Sequence, residues 1–65
     1  MDTLLRLRAG EYCRLIGRRK FARRFLIESR MVGYDTGRHF VEVIARDKRS
    51  GATLMIYAED QVASP

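Results

Sequence analysis

The chain has one cysteine, one proline and no tryptophan among 65 residues, and only 8 acidic side chains against 13 basic ones. A single thiol, Cys13, can neither close an intramolecular disulfide nor build a thiolate zinc site. The one histidine, His39, has no second His or Cys at ligand spacing, so a structural metal is not expected. No apolar run approaches the ~20 residues that cross a bilayer. The opening residues 1–7 carry an acid and a base where a secretory signal has an apolar stretch. The expected location is therefore the cytoplasm, with no membrane partner. Gly10, Gly17, Gly33, Gly37 and Gly51 are isolated, and none heads a phosphate-binding loop. No nucleophile, base and oxyanion donor group together, so no catalytic residue and no cofactor is assigned, and an enzyme is not the expected reading.

What remains describes one small folded unit, residues 1–65. The apolar fraction of 46% is that of a globular protein. A chain this short buries roughly 60% of its unfolded surface, and its core supplies only about 3–5 kcal/mol, which makes self-association a natural supplement. The formal charge of +5 is unevenly placed: residues 1–32 carry +6 and residues 33–65 carry −1. Eleven of the 13 basic side chains are arginines, and seven basic residues fall between Arg14 and Arg30.

The second half reads most clearly. Residues 39–47 (HFVEVIARD) alternate, with Val41, Val43 and Ala45 on one side and Phe40, Glu42 and Arg46 on the other, which predicts a strand. Residues 48–52 (KRSGA) predict a turn, begun by Asp47, and residues 53–57 (TLMIY) a second strand completing a hairpin. Residues 33–38 (GYDTGR) hold turn formers and predict a loop. Residues 18–30 admit two readings. As a helix they gather Phe21, Ala22, Phe25 and Leu26 on one face, with only Ile27 misplaced; as a strand, residues 21–28 put Arg23 among the apolar side chains. Against the helix stand the lack of a capping side chain before Arg18 and a basic first turn.

Taken whole, the chain resembles a small SH3-like barrel. Residues 10–14 (GEYCR) are similar to the strand that opens such barrels, residues 21–29 to a long second strand, 39–47 and 53–57 to the central hairpin, and 58–62 (AEDQV) to the short turn before a last strand. Within that fold the nearest family is the plasmid-type, or type II, dihydrofolate reductases, which work as tetramers around a central pore. Gly10, Arg14, Phe21, Val41, Glu42 and the run Leu54, Met55, Ile56, Tyr57 carry the likeness. Leu15 stands where the family has its pore lysine, and Met55 where it has a glutamine. The expected architecture is thus mostly β, a five-stranded SH3-like barrel; the alternative is α+β, with a helix over residues 18–30 packed on a β-hairpin.

Function is read from the arginines. Their planar forks bind phosphate bidentately, and each phosphate neutralised releases counterions. A basic accessory protein binding DNA or RNA is the first expectation, through Arg14, Arg18, Arg19, Lys20, Arg23, Arg24 and Arg38, with Tyr34 placed for stacking on an unpaired base. The alternatives are an acidic protein surface, bound as a small subunit or inhibitor would bind it, a homo-oligomer, and more remotely a reductase of the type named above. Phe21 and Phe25 are expected in the core, His39 as a polar residue at a strand edge, and Cys13 packed as a small hydrophobe. Glu59 and Asp60 are expected to balance Arg46 or Arg49.

Overall fold

The alternation of residues 39–47 becomes one of the two inner strands of a single sheet. A computed structural model describes residues 3–61, in the order β1 (Thr3–Arg8), α1 (Ala9–Ile16), α2 (Arg19–Arg24), β2 (Phe25–Asp35), β3 (Arg38–Asp47) and β4 (Thr53–Gln61). The strands lie side by side as β1-β4-β3-β2, with β1 parallel to β4 and the other pairs antiparallel. Thirty-six of the 59 described residues are in strands, so the protein is mostly β. The sheet is open, with β1 and β2 at its two edges, so the described residues form neither five strands nor a closed barrel. None of their helices is long and apolar enough to cross a membrane.

Alternation gives the sheet two unlike faces. One turns Leu5 and Leu7 of β1, Leu54, Ile56 and Ala58 of β4, and Val41, Val43 and Ala45 of β3 toward the helices, in matching register. Val43, Ala45 and Ile56 are completely buried there, under Tyr12 of α1 and Phe21 of α2. The other face has no covering layer among the described residues.

Several expected elements are different. Residues 10–14 are not a strand but part of α1: Tyr12, Leu15 and Ile16 fall at helical spacing and meet the sheet, and the Glu11 carboxylate accepts the Arg8 N–H at 3.1 Å where the helix begins. Cys13 is exposed on this helix and not packed. The ambiguous stretch is both things in turn, helix to Arg24 and strand from Phe25, instead of one helix over 18–30 or one strand over 21–29. Phe21 and Phe25 still stack, with centroids 4.9 Å apart, across the point where the helix ends. The expected loop at 33–38 contracts to Thr36 and Gly37, since Gly33, Tyr34 and Asp35 belong to β2. Both turn residues have positive φ, 43° and 78°, as a tight two-residue hairpin demands. Residues 58–61 are not a turn but continue β4, and the last strand expected beyond Val62 lies outside the described residues.

Two measurements follow from these contacts. Ile56→Ala is expected to cost about 2–5 kcal/mol, comparable to what a core this small supplies, and a urea titration followed by circular dichroism reads it. Thr36→Asn replaces a β-branched residue at positive φ with one that adopts it readily, and is expected to stabilise the chain by about 0.5–1 kcal/mol in the same titration.

Candidate functional site

The pairing of Phe25 with Asp47 places the start of β2 beside the end of β3, and so brings α2 against the β3–β4 turn. A six-residue helix is too short to persist alone. Three hydrogen bonds tie its last turn down: the Lys48 N–H donates to the Arg24 carbonyl at 2.8 Å, Lys48 Nζ to the Ala22 carbonyl at 3.1 Å, and Arg24 Nε to Asp47 Oδ2 at 3.0 Å. Cations at a helix C-terminus also meet the negative end of its dipole.

Asp47 is the one buried charged side chain among the described residues, 6% exposed. Its other oxygen, Oδ1, accepts the N–H groups of Arg49 at 2.8 Å and Ser50 at 3.4 Å. The Arg49 N–H first of all, with Arg24 and Ser50 adding to it against the opposing effect of burial, holds this carboxyl below the ordinary value of 3.8. Asp47 thereby acts as the turn former expected from its position, and it also fixes Arg49 next to α2.

The outcome is a shallow hollow of about 300 Å³ walled by Lys20, Arg23, Arg24 and Arg49, with no acidic side chain among its described lining residues. The Arg24 side chain remains 60% exposed although its Nε is engaged. The nearest carboxylate, Asp47, is turned inward with both oxygens occupied. Four cations therefore share one concavity that attracts a multivalent anion.

The structure divides the expected site residues. Lys20, Arg23 and Arg24 meet at the hollow; Arg18 and Arg19 are exposed where α2 begins. Arg14 lines a different hollow, shared with Arg18, Glu11, Leu5, Leu7 and Leu15, on the β1 side of the helical layer. Arg38 is elsewhere: β3 separates it from Asp47 by about 30 Å, and it faces Glu59 at 3.6 Å. Tyr34 is also at that far end, packed edge-on against His39 at 5.0 Å, and both lie on the opposite sheet face from Arg38. Phe21 is buried and Phe25 half-buried. The ring beside these cations among the described residues, Phe25, is half-buried with the Arg24 guanidinium over its face at 5.6 Å, so the hollow presents charge and no open ring. Glu59 pairs with Arg38 and Arg46 with Glu28, at 2.7 Å, instead of the expected partnership of Glu59 with Arg46 or Arg49.

Lys48 and Arg49 are absent from the sequence-based set. Their turn was foreseeable, but its neighbour was not, because only the long-range pairing of β2 with β3 puts α2 there.

The uncovered sheet face is electrically different. Arg6, Arg8, Arg38 and Arg46 point from it together with Glu28, Asp35, Glu42 and Glu59, and these charges cancel. The remaining described residues hold nine basic side chains and only Glu11, Asp47 and Asp60 as acids, so the whole positive excess belongs to the helical side and the turns.

Because the Asp47 carboxyl is held below its ordinary value, its contribution to stability is present above about pH 4 and is lost as pH falls through the folded-state value. Asp47→Asn is expected to lower Tm at neutral pH and to flatten the acid side of the stability curve, measured by thermal melts from pH 7 downward. Comparison with family models, with curated proteins and with solved structures finds no match to this chain.

Proposed function

We propose that this protein binds nucleic acid through the phosphate backbone, using the cationic hollow formed by α2 and the β3–β4 turn. The observation that carries this reading is the convergence of Lys20, Arg23, Arg24 and Arg49 on one concavity with no lining carboxylate. Arginine forks and a lysine ammonium suit phosphate oxygens, and four such contacts on one polymer act together. Arg18 and Arg19 extend the positive surface along α2.

Among the described residues the ring beside these cations, Phe25, is half-buried and already faced by Arg24, which favours contacts to phosphate over stacking on bases. Phosphate contacts orient a protein on its polymer and carry little sequence information. Binding is therefore expected to be tolerant of sequence and steeply dependent on salt. Arg38 and Tyr34, about 30 Å away along β3, have no part in this site.

Fluorescence anisotropy with labelled single- and double-stranded oligonucleotides tests the proposal. Four phosphate contacts on duplex predict a slope of log affinity against log salt of about −3.6. Arg23→Ala and Arg49→Ala are each expected to weaken binding to every sequence alike and to reduce the slope by about one, while Arg38→Ala leaves it unchanged. No binding at about 50 mM salt, where such contacts are strong, overturns the reading.

A further inference from the structure

We propose that the uncovered face of the sheet is a self-association surface, seated against the same face of a second copy in a two-fold dimer. This inference does not rest on nucleic-acid binding. It begins from layering: a sheet with one apolar face and one solvated face is ordinary, but here the second face carries an apolar band across its strands, beside Glu42. Leu4, Met55 and Ile44 are neighbours in register across three strands, with Met31 and Leu26 beyond them on β2. Leu4, Leu26, Met31 and Met55 are between 43% and 55% exposed.

Toward the β2–β3 turn the same face carries a flat aromatic surface. The Phe40 ring occupies the space a Cβ on Gly33 would take, so it lies across β2, and it stacks on Tyr57 with centroids 6.0 Å apart and planes 20° from parallel. The Arg6 guanidinium stands over the Tyr57 ring at 5.5 Å.

Charge identifies the occupant. A two-fold contact brings one patch against itself, so a patch of a single sign repels its own copy. This face carries four arginines and four carboxylates, whereas the rest of the described chain is strongly positive. A polyanion is drawn to the helical side; a face whose charges cancel suits another face like itself. Area agrees. The strands contribute 6, 11, 10 and 9 residues, and at strand spacings these tile about 600 Å² of flat sheet. Two copies then bury about 1,200 Å² before side-chain relief is counted, the lower bound for a specific interface. Face-to-face sheets of this kind form the interior of β-sandwiches.

Sedimentation velocity of the full chain without nucleic acid, across the micromolar range, tests this. A species of twice 7.6 kDa is expected. Met55→Lys occurs twice in a two-fold interface and is expected to weaken dimerisation by about 100-fold or more. Met31→Lys is expected to do the same and carries the test if Met55→Lys loses its circular dichroism signal. Arg23→Ala, which lowers oligonucleotide affinity if the hollow binds phosphate, leaves the mass unchanged. A monomer throughout the range overturns the proposal, as does a dimer that neither lysine variant disturbs. So does a monomer whose affinity for single strands falls on Tyr57→Ala, because the face then belongs to a nucleic-acid strand.

Discussion

A carboxylate taken out of water persists only when each oxygen has a donor, and Asp47 meets that condition by drawing three parts of the chain to itself. Arg24 at the end of α2, the N–H groups of Arg49 and Ser50 in the turn, and the last position of β3 all meet at this one side chain. The short helix depends on that junction, because six residues cannot hold helical geometry unaided. The cationic hollow depends on it too, since three of its walls come from α2 and the fourth from the turn. The residue that most concentrates positive charge in this protein is thus an acid, buried beneath the cations it arranges.

The division of labour between the two sides of the sheet follows from a chain with few large apolar residues. All four strands contribute inward side chains, β2 through Phe25, to a core that contains six buried hydrophobics among the described residues, and the two helices suffice to cover it. The basic residues of α1 and α2 are then obliged to face outward, for the opposite sides of these helices are consumed by Tyr12, Leu15, Ile16 and Phe21. Electrostatic asymmetry is in this sense a by-product of amphipathic helices on one side of a sheet, and it separates a surface suited to polyanions from one suited to a neutral partner.

The sequence made some of this legible and concealed the rest for identifiable reasons. The β3–β4 hairpin was readable because β-branched alternation, a glycine-containing turn and a second apolar run all agreed. The arginine-rich stretch was recognisable as the charged element, yet its conformation was not, because Phe21 and Phe25 meet at helical spacing although only the first is in the helix. The misplaced Ile27 was the visible trace of the strand that begins at Phe25. Residues 3–8 gave no sign of β1, whose parallel partner is some fifty residues away in β4. Arg49 escaped for the same reason: its role comes from a neighbour that local patterning does not name.

The register of β2 against β3 shifts between Ile27 and Ser29, where one extra residue interrupts the ladder. That insertion exchanges odd and even positions along the remainder of the strand. Beyond it, in the register set by the Thr36–Gly37 turn, Gly33, the only side-chain-free position of β2, lies beneath Phe40, and Tyr34 is on the helical side beside His39. Removing that one extra residue, Glu28, would straighten the ladder and leave both placements as they are, because Ser29 would still face Ile44, and Gly33 Phe40, across the same two-residue turn. The irregularity therefore reconciles two phases of one strand: the tight turn dictates what its outer half displays, and the surplus residue lets Phe25 and Ile27 nonetheless point toward the helices.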